Sequence, residues 1–226
     1  MESIGVYAKR FTSGTAEMFK RLKYSFYILF HPFDGYYDLK NDPKRKTVSG
    51  AVFLYFMLAF SHVFKRLLMA YLFSNRYDQL HLDILMEVAV AIGPFLLWTI
   101  ANWCFTSLMD GDGKLVDIFC ATAFATLPAT LSNFITVPIS HFVTETNKAV
   151  LTTVASFGQI WTYGMVFLAL LVTHQYSVKK GIITTILSIV GMAGIAFVIV
   201  LVFFLCQQVV GFVIQLGTEI IFRINE

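Results

Sequence analysis

The turn Asp110-Gly111-Asp112-Gly113 is the stretch of the chain that most resembles a chemical site, because alternating aspartates are typical ligands of Ca²⁺. A calcium loop of the EF-hand type requires an oxygen ligand at its fifth position and a glycine at its sixth. Lys114 and Leu115 stand at those two positions. The pattern therefore predicts a tight structural turn and no metal site.

The other residues that could act as metal ligands or catalytic groups are scattered along the chain. The three cysteines lie inside apolar runs and show no ligand spacing, which is typical of small hydrophobic side chains. Most of the five histidines lie at the borders of apolar segments, where interfacial placement explains them better than metal binding. No pattern of a catalytic centre, a nucleotide-binding loop or a cofactor site occurs, and the sequence predicts a protein that is not an enzyme.

A transporter or proton relay requires ionisable groups deep in a membrane, and few are present. Glu87 lies one turn into an apolar segment, and Lys65 and Arg66 lie near the end of another, where they are able to snorkel to the surface. Asn102, Asn133 and Gln159 are uncharged and are expected to hydrogen-bond between helices. A small cavity lined by Pro128 and Asn133 is the alternative to a simple packing kink.

The amino-acid composition is typical of a membrane protein. Of 226 residues, 57% are apolar and only 14% are charged, whereas soluble domains are about a quarter charged. The first ten residues lack the apolar core and cleavage site of a signal peptide, so no cleaved leader is expected. The fold predicted is all-α: a polytopic membrane protein with five transmembrane helices, an N-terminal amphipathic helix and a long fifth helix that projects outside the membrane.

Five apolar segments approach the ~20 residues that cross ~30 Å of hydrocarbon. They make up a membrane domain over residues 48–205. We expect them at residues 48–64 with a helical continuation to 73, at 84–109, at 115–139, at 150–172 and from 182 onward.

The third segment contains Pro128 and Pro138, which would cost roughly 3 kcal/mol each inside a helix in water. In a membrane, neighbouring helices and nearby hydroxyls satisfy the carbonyls that proline frees. The sequence therefore predicts a kinked membrane helix that is entered through the Gly113-Lys114 turn.

Residues 1–47 form a basic segment with an amphipathic helix over 15–30, which His31-Pro32 ends. Such a helix either lies on anionic lipids or packs on the protein's own cytoplasmic surface. The residues assigned to the membrane surface are Lys20, Arg21, Lys23, Lys44, Arg45 and Lys46.

The C-terminal segment, residues 206–226, continues the fifth helix without a proline, so that residues 182–224 make a rod of about 60 Å. Its polar residues follow an i, i+4 row, which predicts a surface covered by another chain; a bend at Gly211 or Gly217 that lays it on the membrane is the alternative. The predicted partner interface comprises Gln207, Gln208, Gly211, Gln215, Glu219 and Arg223.

The distribution of lysine and arginine predicts the orientation. Residues 1–47 carry nine lysines and arginines, residues 110–114 carry one and residues 173–181 carry two. The segments assigned to the opposite side of the membrane carry three: Arg76, Lys148 and Arg223. We therefore expect a cytoplasmic N-terminus and an extracytoplasmic C-terminus.

Two stretches resemble the Yip (Ypt-interacting protein) domain family: HPFDGYYDLKNDPKRKTVSGA before the first span, and SLMDGDGKLVDIFCATAFATLPATL leading into the third. Gly113, Lys114 and Pro128 match the family pattern, and the resemblance covers roughly residues 30–205. It implies five spans with a cytoplasmic N-terminus. The short N-terminus is similar to that of bacterial members, particularly in Gram-positive bacteria.

That resemblance implies a function. The short bacterial members resemble accessory subunits that accompany ABC transporters, including carbohydrate importers and a peptide-toxin resistance exporter. We therefore expect an accessory subunit that contacts a permease and an extracytoplasmic component, with a carbohydrate importer favoured. No nucleic-acid partner is expected. Two alternatives are a small transporter or channel with a path near Pro128, Asn133 and Gln159, and a trafficking scaffold that binds small GTPases through residues 1–47.

Overall fold

The structure, a computed structural model, describes residues 23–42, 48–69, 73 and 83–224, and it contains no strand in those ranges. This confirms the all-α prediction. The helices are α1 (residues 23–30), α2 (Pro32–Asn41), α3 (Val48–Leu68), α4 (Ile84–Leu108), α5 (Leu115–Ala125), α6 (Leu127–Phe142), α7 (Lys148–His174) and α8 (Val178–Ile224), with a 3₁₀ turn at Glu145–Asn147.

Five segments of the described chain are long and apolar enough to cross a membrane: α3, α4, α5 with α6, α7, and α8. The expected continuation of the first helix to residue 73 is wrong, because α3 ends at Leu68. There the His141 ring donates through Nε2 to the Leu68 carbonyl over 3.0 Å. This bond uses a carbonyl that a longer helix would need for itself.

The predicted kink is a break between two helices. Thr126 separates α5 from α6, and Pro128 lies in the first turn of α6, where its missing N–H costs no helical hydrogen bond. The Ala129 N–H donates to Oγ1 of Thr162 on α7 over 2.9 Å. Because the Thr162 hydroxyl donates its own proton to the Gly158 carbonyl, its oxygen is free to accept. The neighbouring helix thus satisfies the backbone at the break.

Close packing of α6 on α7 supports that bond. Ser132 Oγ donates to the Val154 carbonyl of α7 over 3.0 Å, and a Cβ at Gly158 would overlap Ser132. Glycine is therefore needed at residue 158 for the two helices to approach. The second proline, Pro138, lies inside α6, where the Thr136 hydroxyl donates to the carbonyl four residues earlier over 2.7 Å.

The N-terminal segment packs on the bundle with one face. His31 is non-helical and Pro32 begins α2, so the prediction that these residues end the first helix is correct. Ile28 and Tyr36 are buried, while Phe30 is exposed. Lys23 lies in α1; the other predicted membrane-surface cations, Lys20, Arg21, Lys44, Arg45 and Lys46, lie outside the described residues.

Helix α8 is continuous over 47 residues. Its first half packs on α4: Phe105 lies against Gly191, and the Thr184 hydroxyl is 3.6 Å from the Met109 sulfur. Between Phe197 and Arg223, every side chain that the structure describes is exposed, and only the two glycines there are partly covered. The second half of α8 therefore has no neighbour in the described chain.

The break at Thr126 gives a test. We expect Thr162→Val to lower the free energy of unfolding by about 1–3 kcal/mol, because it strands the buried Ala129 N–H. Thermal unfolding in detergent measures the loss. Thr152→Val on the exposed face of the same helix removes only a hydroxyl bonded within α7, and it should change stability little. Equal stability of the two variants would contradict this account.

Candidate functional site between the apolar helices

A cavity of about 600 Å³ lies where all five apolar segments converge. Cavities of roughly 300–1,000 Å³ with a mostly apolar lining and a few polar groups are the usual form of a small-molecule site. Apolar side chains from α3, α4, α6, α7 and α8 make most of this wall. Its polar lining residues are His62, Lys65, Asn133, Gln159, Tyr163 and Thr185.

One hydrogen-bond chain crosses from α3 to α6 at the edge of the cavity. Lys65 Nζ donates to Asn133 Oδ1 over 3.3 Å, and Asn133 Nδ2 donates to Ser61 Oγ over 3.2 Å. The Ser61 hydroxyl gives its proton to the Leu58 carbonyl over 2.8 Å, so its oxygen must accept from Asn133. These partners fix the direction of the amide and turn the lysine inward.

A second polar cluster joins α3 to α4 beside it. Glu87, in the first turn of α4, lies 3.0 Å from His62 Nε2 and 3.3 Å from Arg66 Nε. An anion in the first turn of a helix also complements the positive end of its dipole. Asn133 and Glu87 give Lys65 and Arg66 partners within the protein, but Arg66 stays 42% exposed, so the expectation that the two side chains snorkel to the surface stays a prediction.

The cavity is closed at its base and open at its side. Trp98 is only 8% exposed and forms the base with Ala129. At the rim, Val90 is 51%, Tyr163 is 60% and Ile189 is 57% exposed. These rim residues lie on α4, α7 and α8, the helices whose outer faces are apolar. In a membrane the cavity would thus open toward lipid.

A much smaller cavity lies on the other side of Trp98. Its volume of about 10 Å³ is close to the space that one water needs. The side-chain amide of Asn102 and Nε2 of His174 line it, and neither has a hydrogen-bond partner among the described residues. Its polar walls fit a bridging water between α4 and α7.

His174 locks the Asp110–Lys114 turn onto the bundle. The Gly113 N–H donates to Nδ1 of His174 over 3.2 Å, so Nδ1 carries no proton and the neutral ring carries it on Nε2. A Cβ at Gly113 would lie 2.6 Å from His174 Cε1. The Lys114 N–H is held by Oδ2 of Asp117 over 3.1 Å, which caps α5. The turn is thus held by side chains that accept from its backbone N–H groups.

Tyr176 closes the same turn from the α7–α8 connection. Its hydroxyl donates to the Met109 carbonyl over 3.0 Å. Partial burial raises the pKa of Tyr176, and the carboxylates of Asp110 and Asp112 raise it further, so the phenol keeps its proton. Lys180 lies 4.3 Å above its ring. These contacts hold the turn against the start of α8.

Not all predicted cavity residues meet. Asn133 and Gln159 line the same cavity, but Pro128 lies in a separate lateral groove with Phe30 and Trp161, so a path that joins Pro128 to Asn133 is wrong. Residues of α7, among them Phe157 and Gly158, line the groove with Pro128. Among the described residues, no three His, Cys, Asp or Glu side chains converge as metal ligands would.

Sequence reasoning missed the charged cluster at the cavity, although a signal was present. Ser61, His62, Lys65 and Arg66 recur at spacings that place them on adjacent rows of one helix, and Glu87 is the one acid in the first turn of its span. Their grouping depends on how α3 and α4 are rotated. That rotation is not encoded in the hydropathy of either helix.

The turn at Gly113 gives a second test. Gly113→Ala should push the turn away from His174 and expose the chain at residues 110–114 to protease, with a lower melting temperature in detergent. Gly93→Ala is the matched control, because nothing lies within 4 Å of a Cβ there and alanine favours the helix. Unchanged protease resistance in Gly113→Ala would show that the turn does not depend on this contact.

Comparison with known proteins gives one result. Residues 26–202 match the model of the Yip1 domain, a stretch of well over half the chain that begins in α1 and ends within the exposed part of α8. No curated protein and no solved structure matches the chain.

Proposed function

The chain belongs to the Yip1 domain family, a family of membrane proteins, and from this we propose that it is a non-enzymatic accessory subunit that binds an ABC transporter. The bacterial cell membrane is its proposed location, with a carbohydrate importer as the favoured partner. The uncovered second half of α8 is the observation that carries this proposal.

Helix α8 is longer than a membrane is thick. The 47 residues of α8 span about 70 Å at 1.5 Å per residue, more than twice the ~30 Å of a bilayer core. The side chains beyond Phe197 are mostly large and apolar, including Phe203, Val210 and Phe212 at about 60% exposure. Lipid solvates only the part of such a helix that stays in the bilayer. A partner protein is the remaining way to cover the rest.

The surface itself suits another membrane helix. A shallow groove on this surface is lined by Gly211 together with Phe203, Gln207 and Ile214, among others. Glycine lets helix backbones approach closely, and glutamine amides hydrogen-bond across a helix interface. Farther along the row, Arg223 pairs with Glu219 over 3.3 Å, which leaves no net charge to keep an apolar partner away.

A permease is the partner of matching chemistry. Its helices are apolar within the bilayer and continue into extracytoplasmic segments, which is the combination that a helix about 70 Å long meets. An extracytoplasmic component of the transporter would contact the tip near Arg223. The resemblance to bacterial members of the family, which are similar to accessory subunits of ABC transporters, is what favours this class.

The proposed orientation places the N-terminus in the cytoplasm. α2, the turn at residues 109–114 and the α7–α8 connection lie at one end of the bundle, as the contact of Gly113 with His174 and the packing of Leu39 beside Asp117 support. The basic residues Lys114, Lys179 and Lys180 belong to this end. Anionic lipids of the inner leaflet are the proposed contact of the basic N-terminal segment.

We expect Gly211→Leu to reduce the amount of permease that copurifies from native membranes by about tenfold, because a leucine fills the groove and overpacks the contact. The measurement is quantitative mass spectrometry after purification in a mild detergent. Val213→Leu is the matched control: residue 213 lies about 200° around the helix, and the change adds bulk on the opposite face.

Three outcomes would contradict the proposal. The first is a permease yield from Gly211→Leu equal to that from Val213→Leu. The second is purification of the wild-type chain alone or as a homo-oligomer. The third is a chain truncated after Leu205 that still assembles normally with its partner.

A small transporter is the second candidate, and the 600 Å³ cavity is the observation that favours it. The cavity has polar groups where α3, α4 and α6 meet, but Trp98 and Ala129 close its base. Solute flux into liposomes that contain this chain alone would support transport. Absence of such flux, together with a copurifying transporter, would support the accessory role.

A further inference from the structure

We propose that the cavity between the five apolar segments binds one anionic phospholipid of the surrounding bilayer, with its phosphate at Lys65 and an acyl chain reaching Trp98. This site is separate from the partner surface on the second half of α8. Its recognition rests on charge, on depth and on the direction in which the cavity opens.

The charge of Lys65 favours an anionic ligand. Among the described residues Lys65 has no carboxylate within ion-pair distance; its one polar contact is the neutral Asn133 amide. The neighbouring Arg66 and His62 both lie on Glu87, whose charge they share. Lys65 is therefore the cation at this cavity that remains to be matched. A half-buried ammonium ion favours an anion, and a phosphate oxygen accepts from it as a carboxylate would.

The position of Lys65 along α3 matches the depth of a lipid headgroup. Lys65 lies three residues before the end of α3, about 4.5 Å along the helix axis from Leu68. This is the depth at which lysines meet lipid headgroups. Trp98 and Leu58 lie farther toward the bilayer centre and line the same cavity. An anionic head and an apolar chain therefore match the two ends of the site.

The cavity opens at its side, toward the acyl chains of the bilayer. Val90 on α4, Tyr163 on α7 and Ile189 on α8 are more than half exposed at the rim, on helix faces that acyl chains solvate. Below the rim, α7 and α8 are held together where Leu171 contacts Gly181. A ligand that diffuses within the bilayer can enter between these helices, whereas Trp98 closes the way toward the Asp110–Lys114 turn. A bilayer lipid is thus the occupant that the geometry favours.

The test uses the fluorescence of Trp98 in the full-length chain. Trp103 and Trp161 are 41% and 45% exposed and would report bulk lipid, so both are changed to phenylalanine, which leaves Trp98 as the one tryptophan. The protein is reconstituted in phosphatidylcholine with a minor fraction of phosphatidylglycerol or phosphatidylcholine brominated in the acyl chain, because bromine quenches indole on contact. We expect stronger quenching by the brominated phosphatidylglycerol.

Lys65→Gln should lower that preference about fivefold, as expected for loss of one cation near a lipid headgroup. Glutamine retains an N–H donor, and the bond from Asn133 to Ser61 still joins α3 to α6. Lys65→Arg should retain the preference. Lys148→Gln is the matched control, since Lys148 lies at the same end of the bundle, on the exposed start of α7.

Val90→Phe provides a variant that leaves Lys65 intact. It narrows the rim of the cavity and should reduce quenching by both brominated lipids. Equal quenching by the two lipids, a preference that persists in Lys65→Gln, or quenching that Val90→Phe leaves unchanged would each overturn the proposal. So would the absence of quenching by either lipid, which would mean that no acyl chain reaches Trp98.

Discussion

The Ala129 N–H is the constraint on which the bundle depends. In a bilayer core no water bonds a backbone group that a helix break frees, so a protein group must. Thr162 does so, and its reach requires α6 and α7 to lie close, which Gly158 permits. One turn after Ala129, the same rotation of α6 directs Asn133 toward Lys65 on α3. The break thus determines where the polar edge of the cavity lies.

Two histidines fix the opposite ends of the bundle, and their protonation follows from their partners. His141 faces the Leu68 carbonyl, which only accepts, so its Nε2 carries a proton. His174 accepts from the Gly113 N–H, so its Nδ1 carries none. Each bond joins residues more than 60 positions apart in the chain, and each secures a connection between helices.

Hydropathy and helix punctuation predict much of this fold, because they reflect local physics. The apolar lengths located α4 and α7 to within two residues, and His31-Pro32 marked the end of the first helix. Contacts between distant segments were not predictable in the same way. The end of α3 at Leu68 depends on His141, and the direction of the Lys65 side chain depends on Asn133. Each partner lies about 70 residues away in the chain. A periodic pattern gives the faces of a helix, but not the neighbour that each face meets.

The two proposed sites are joined by a single element. Thr185, Ile189 and Met192 of α8 form one wall of the cavity, and the same helix continues without a proline to the uncovered row at Gly211. A partner that held the second half of α8 would act on the wall through a continuous helix. If its binding changed the affinity of the cavity for lipid, reciprocity requires that the lipid change the affinity for the partner by the same factor. An accessory subunit built in this way would couple the lipid composition of the bilayer to the binding of its proposed partner.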